Sequence, residues 1–164
     1  MQPREDQGGG RAPAHHEDVE WPELSIRVSI SRPRIRASVY TARSVSLEAI
    51  KIFRRHCLVL HFDVFDGDYS AGRVVARIPL YLRLPERGRP LAPSSKLARL
   101  FDLAGVQVAR RDRLPMNALR NRLWRVEVGD VTTSYEKDPM TGQPRLLADS
   151  LRYSVVRAVV EHIA

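Results

Sequence analysis

Residues 57–84 read CLVLHFDVFDGDYSAGRVVARIPLYLRL, and this stretch decides the fold. Within 57–65 and again within 73–84, apolar residues occupy every second position, which is the pattern of half-buried β-strands. The segment DGDYSAG between them is rich in Asp and Gly, as expected where a chain reverses direction. The pattern therefore predicts a long twisted hairpin, in which Pro79 indicates an edge strand or a bulge.

The flanking sequence predicts three further strands and a helix. LSIRVSIS and LWRVEVGDVTT alternate strictly and predict strands at 24–31 and 123–133. The helix is predicted over 95–104, where Ser94 or Ser95 caps it and apolar residues follow with helical spacing. Two segments are ambiguous: residues 34–56 fit a short helix or another strand, and the last segment is predicted as a strand at 151–157 that runs into a short helix.

The order of these elements suggests an architecture. Five strands with a helix between the third and the fourth is the order of the OB-fold barrel. We therefore expect a mainly β protein with one or two helices, built as an OB-like five-stranded barrel with a helix between strands 3 and 4.

Charge is distributed unevenly along the chain. The 164 residues carry a formal net charge of +8. Residues 1–23 hold two arginines against six acidic residues, a net charge of −4, and the remaining 25 basic and 13 acidic residues give +12. We expect an acidic, disordered tail at 1–22 and a basic domain at 23–164. A strongly basic domain favours a polyanionic partner.

Several classes of protein are disfavoured by composition. Cys57 is the single cysteine, so an internal disulfide and a cysteine-rich zinc site are excluded. No apolar run approaches the roughly 18–20 residues of a membrane span, and the polar start MQPREDQGGG is unlike a secretory signal. These features predict a cytoplasmic protein without a membrane partner.

Signals of catalysis are weak. His56, Cys57 and His61 are candidate metal ligands. They cannot converge on one metal ion if they lie on one strand, because neighbouring side chains point to opposite faces. Asp63, Asp66 and Asp68 are acids around a turn, where Asp is common for conformational reasons. Phosphate-binding and nucleophile motifs are absent from the sequence. We expect no enzyme, metal or cofactor, and keep an aspartate-based nuclease as a minor alternative.

The outer face of the hairpin predicts a binding surface instead. If the two strands pair, Phe65, Arg77, Tyr81 and Arg83 lie on one side, together with His61. Aromatic rings stack on bases and arginines neutralise phosphates, which is how single strands are bound without sequence preference. Arginines of the later segments are expected at the rim of this surface: Arg111, Arg122 and Arg125.

Four later segments carry a family resemblance. SKLARLFDLAG at 95–105, RRDRL at 110–114, LWRVEVGDVT at 123–132 and RYSVV at 152–156 resemble small uncharacterised proteins of phages and mobile elements. Some of those look like single-stranded DNA-binding or recombination accessory proteins of OB type. The resemblance covers about residues 57–157 and implies no particular site residue.

These observations predict a non-catalytic nucleic-acid-binding protein that favours single-stranded DNA. The alternative is a protein-interaction module, such as an adaptor subunit of a larger prokaryotic or phage assembly. In that case the arginine surface meets an acidic protein, and an exposed sheet edge accepts a strand from the partner.

Overall fold

The computed structural model describes residues 32–67, 69–70, 72–86, 89–110 and 113–163. The predicted tail and the predicted strand at 24–31 lie outside these residues. The described chain forms seven strands, one α-helix and two short 3₁₀ turns: β1 (Ser38–Ile52), β2 (Arg55–Asp66), β3 (Arg73–Arg83), α1 (Lys96–Leu103), a 3₁₀ turn (Met116–Leu119), β4 (Leu123–Val131), β5 (Thr133–Lys137), β6 (Pro144–Leu146), a second 3₁₀ turn (Asp149–Leu151) and β7 (Tyr153–Ile163).

Five of the strands form one antiparallel sheet in the order β3-β2-β1-β4-β7. Three consecutive strands followed by a fourth that returns beside the first is a Greek key. β5 and β6 pair separately as a small hairpin between β4 and β7. The expected mainly β fold is confirmed, but the five-stranded sheet is not closed into a barrel, since no hydrogen-bonded ladder joins its edge strands β3 and β7. The two edge strands nevertheless contact each other, and α1 contacts both of them and packs on the apolar interior there.

The predicted hairpin at 57–84 is confirmed as β2 and β3. Leucines and other apolar residues pair across it and fill the core, as in Leu60 opposite Leu80 and Phe62 opposite Ile78. Pro79 is tolerated because β3 is an edge strand, where a missing backbone donor need not interrupt a ladder.

The ambiguous stretch 34–56 contains the central strand of the sheet. β1 pairs with β2 along one side and with β4 along the other, and this tertiary pairing overrides the helix-like spacing of SLEAIKIF. A register shift between Ser44 and Ser46 bends the strand. Ser44 is fully buried there, and its hydroxyl donates to the Leu119 carbonyl at 2.6 Å and accepts from the Trp124 indole at 3.1 Å.

The prediction of a second helix after residue 157 is wrong, because β7 continues as a strand to Ile163. Its ladder with β4 shifts register twice, which leaves Arg157 and Val160 as extra residues in β7. Each bulge adds one residue to the alternation, so the buried Val156 and Val159 lie three residues apart. This bulged spacing imitates the period of a helix in the sequence.

The predicted helix at 95–104 is observed as Lys96–Leu103, with Ser95 and Ala104 as its caps. The Ser95 side chain caps it by accepting a hydrogen bond from the amide of Ala98 at 3.1 Å. Gly105 follows with a φ of +64°, the left-handed conformation that commonly ends a helix. Its buried face, which includes Leu100 and Phe101, packs into the core of the sheet.

Candidate nucleic-acid interface

The outer face of the hairpin carries an ion pair. Asp63 and Arg77 lie opposite each other in the β2–β3 ladder, and the guanidinium contacts both carboxylate oxygens, Nε to Oδ1 at 2.7 Å and Nη2 to Oδ2 at 3.2 Å. The hydrogen bond raises the pKa of Arg77, and the Asp63 side chain is only 10% exposed. Much of the charge of Arg77 is therefore satisfied within the protein, and Asp63 is engaged by an arginine rather than open to a metal ion.

Phe65 lies at the end of β2 and is buried, with 4% of its surface exposed. The edge of its ring packs against Tyr69, at 5.1 Å between centroids. The Tyr69 ring is exposed, and the guanidinium of Arg43 lies 5.9 Å from its centroid. Phe65 thus supports a neighbouring ring, and Tyr69 is the ring that solvent or a ligand can reach.

Arg125 is exposed on β4 and forms an ion pair with Glu161 of β7 at 3.4 Å. It shares with Phe65 the wall of an open cleft of about 290 Å³, so the fold brings these two predicted residues together. The remaining lining residues come from β1 and the turn after β2: Val39, Tyr40, Thr41 and Gly67.

Arg122 is a structural residue. Its side chain is half-buried and donates to two carbonyls at the ends of neighbouring elements, those of Ala118 and Ala104, the latter at 2.9 Å. It also lies 3.4 Å from the His162 ring nitrogen. Arg122 directly precedes β4, so these contacts connect the start of β4 to the end of α1 and to β7. Arg111 lies outside the described residues.

Tyr81 and Arg83 point outward from β3, as predicted, and Arg83 is exposed. Tyr81 is 38% exposed, and partial burial is the main cause of its raised pKa. The guanidinium of Arg32 opposes that rise, while Tyr153, Tyr135 and Glu48 add to it.

A pair of exposed rings lies at the turn between β1 and β2. Phe53 is in the two-residue turn between β1 and β2, and its ring meets the edge of the Tyr135 ring from the β5–β6 hairpin at 5.4 Å. The two side chains are 72% and 77% exposed. The guanidinium of Arg32 lies 4.3 Å from the centroid of the Tyr153 ring. We call Phe53, Tyr81, Tyr135 and Tyr153 the aromatic patch.

Positive charges adjoin the aromatic patch along the chain. The neighbouring exposed cations come from three segments: Lys51, Arg54 and Arg55 beside Phe53, Arg83 beyond Tyr81, and Lys137 beyond Tyr135. None of these five forms an ion pair with a carboxylate in the described part of the chain. Rings and unpaired cations in one area are the two components of a surface that binds single strands.

The backbone beneath Phe53 is strained. Phe53 and Arg54 have φ values of +47° and +63°, in the left-handed region. Bulky residues are rare there, and turns of this kind favour Asn and Gly. Sequence reasoning did not identify Phe53 or Tyr135, since Phe53 falls within the ambiguous stretch 34–56 and Tyr135 belongs to no periodic pattern. The available signal was the run FRRH, an aromatic residue beside cations in a connection without Gly.

The remaining titratable groups include one histidine with a shifted pKa. His61 lies within the sheet, where its Nδ1 is 3.2 Å from the Ser46 hydroxyl, and burial lowers its pKa. Among the described residues, no three His, Cys, Asp or Glu side chains are grouped as metal ligands. No helix in the described part of the chain is long and apolar enough to cross a membrane.

Comparison with known proteins adds no assignment: neither the models of known protein families nor the curated proteins give a match to this chain. The resemblance to phage and mobile-element proteins stays a prediction. Function is therefore inferred from the residues of the interface.

Proposed function

We propose that this protein binds single-stranded nucleic acid, with DNA as the favoured form, and does so without catalysis. The observation that carries the proposal is the contact between the exposed rings of Phe53 and Tyr135, which lies beside unpaired cations. Each stacked base contributes about 1–3 kcal/mol in such sites, and neutralised phosphates add a salt-dependent term. The exposed Tyr81 and Arg83 belong to this surface, and Arg125 and the cleft beside it are a second contact area.

The fold supports the same proposal if it is read as an OB-like, partly open barrel. The Greek-key order, the central first strand and a helix after the third strand agree with that reading. OB folds bind oligonucleotides on the face of strands 2 and 3 and with the loops between strands 1 and 2 and strands 4 and 5. Here the turn at Phe53 joins the first two strands, and the hairpin with Tyr135 lies between the fourth and fifth strands of the sheet.

The test is a fluorescence-anisotropy titration of a labelled single strand of about 30 nucleotides and of the matched duplex. We expect sub-micromolar affinity for the single strand, weaker binding of the duplex, and single-strand binding that persists at about 150 mM salt. Equal, weak and salt-sensitive binding of both would overturn the proposal, since a basic surface alone gives that result. An RNA single strand of the same sequence decides between the two nucleic acids.

The second candidate is a protein-interaction module. It is favoured by the open sheet, because β3 and β7 each lack a hydrogen-bonded neighbour strand on one side within the described sheet. Such edges accept a strand from a partner. Failure of the oligonucleotide titration, together with recovery of one stoichiometric partner from the source cell, would favour this function.

A further inference from the structure

A narrow slot opens where α1 meets both edge strands of the sheet. It has a volume of about 90 Å³, the space of roughly three water molecules. Its apolar lining comes from all three elements: Leu80 and Leu82 of β3, Leu100 and Leu103 of α1, and Ala158 and Val159 of β7. Side chains alternate along β3, so the slot lies on the opposite side of that strand from Tyr81 and Arg83.

Three cations complete the lining of the slot. Lys96 and Arg99 come from α1, and Arg157 is the extra residue at one bulge of β7. Lys96 donates to the Arg157 carbonyl at 3.5 Å, and the Arg157 guanidinium donates to the Asp130 carbonyl, so both bond to neutral acceptors. None of the three cations has a carboxylate partner in the described part of the chain.

The position of Arg157 depends on a glycine. Its side chain lies against Gly129 of β4, where an added Cβ would meet the Arg157 Cγ at 3.0 Å and Nε at 3.1 Å. Gly129 therefore leaves room for the arginine to lie over the strand. These contacts turn the Arg157 guanidinium toward β4, so Lys96 and Arg99 of α1 are the other two charges beside the slot.

We propose that the slot binds a peptide of a partner protein in which an aliphatic side chain is flanked by carboxylates. The apolar lining has the size of one aliphatic side chain, and the cations favour negative charge beside it. The lining favours an aliphatic group over a base, because it has no aromatic ring on which a base could stack. This proposal does not depend on the nucleic-acid function, since the two surfaces lie on opposite sides of β3.

The experiment measures anisotropy of a short fluorescein-labelled peptide of aspartates followed by leucines, with the full-length protein. Arg99→Glu reverses one cation on the exposed side of α1, and Ala158→Phe fills the slot without changing charge. Each is expected to weaken peptide binding at least about tenfold, while Ala158→Phe leaves binding of the single-stranded oligonucleotide unchanged. Arg113→Glu, the same charge reversal at an exposed arginine elsewhere, is the matched control and should have little effect.

Each contrary outcome has a definite meaning. Absence of peptide binding by the unaltered protein overturns the proposal, whatever the oligonucleotide result. Binding that Ala158→Phe leaves intact also overturns it, since charge alone then explains the affinity. Circular dichroism of Ala158→Phe and Arg99→Glu shows whether each is folded, and Ala158→Gln supplies a milder filling of the slot if the phenylalanine variant unfolds.

Discussion

Replacing Tyr135 with alanine tests the aromatic patch most directly. The side chain is 77% exposed, and the ring contact that it makes within the described residues is to Phe53, at 5.4 Å. Removing so exposed a side chain changes the free energy of unfolding by no more than about 0.5 kcal/mol. A ring that stacks on one base contributes about 1–3 kcal/mol to binding, so the dissociation constant for a single strand should rise about 5- to 150-fold.

The assay is the anisotropy titration repeated at several salt concentrations. Tyr135→Ala removes no charge, so the slope of log affinity against log salt should stay the same while the curve shifts to weaker binding. Met140→Ala is the matched control. Met140 is an exposed apolar residue in the connection between β5 and β6, in the same hairpin as Tyr135, but it has no ring. An affinity unchanged by Tyr135→Ala, or lowered equally by Met140→Ala, would refute the reasoning.

Further predictions concern charge, strain, packing and pH. Arg55→Glu should weaken binding about equally for all single-stranded sequences and reduce the salt slope by about one, and a sequence-dependent loss would contradict a phosphate contact. Changing Phe53 to Asn and Arg54 to Gly together should raise the free energy of unfolding in urea by about 1 kcal/mol or more and weaken single-strand binding; unchanged stability would show that the turn is not strained. Ser44→Ala should cost about 1–3 kcal/mol of stability in the same assay without changing the affinity of the folded protein, because the groups that bond to the buried hydroxyl lose their partner. Burial lowers the pKa of His61 from its ordinary 6.5, so the unfolded chain binds a proton more readily than the folded one and stability falls as the pH drops below 6.5. His61→Gln should make this fall in the free energy of unfolding shallower between about pH 8 and pH 5. A pH profile identical to that of the unaltered protein would exclude His61 as the source of the fall.

The hairpin was predictable because its signal is local. Each strand alternates over its full length, and the turn between them has the residues that turns require. The central strand was not predictable, since residues 46–53 have apolar spacing compatible with a helix and become a strand by pairing on both sides. The second half of β7 was predicted wrongly because two bulges change its period from two to three. Both cases depend on neighbours distant in sequence.

The candidate site was only partly predictable for a related reason. Outward direction follows from strand alternation, and this placed Tyr81, Arg83 and Arg125 on accessible surface. Alternation does not show which outward charges are already paired, so the bond of Arg77 to Asp63 could not be foreseen. A contact between a turn and a separate hairpin, such as that of Phe53 with Tyr135 of β5, has no periodic signature at all.

Phe53 gives the strongest reason to connect this surface with binding. A bulky residue with positive φ costs about 1–3 kcal/mol, and its ring is 72% exposed, so the free protein gains little from keeping it there. Packing does not offset this cost, because the partner ring of Tyr135 is as exposed as that of Phe53. Disagreements of this kind between local preference and tertiary structure are expected at functional sites. A stacked base would cover both rings and supply the favourable contact that the free protein lacks.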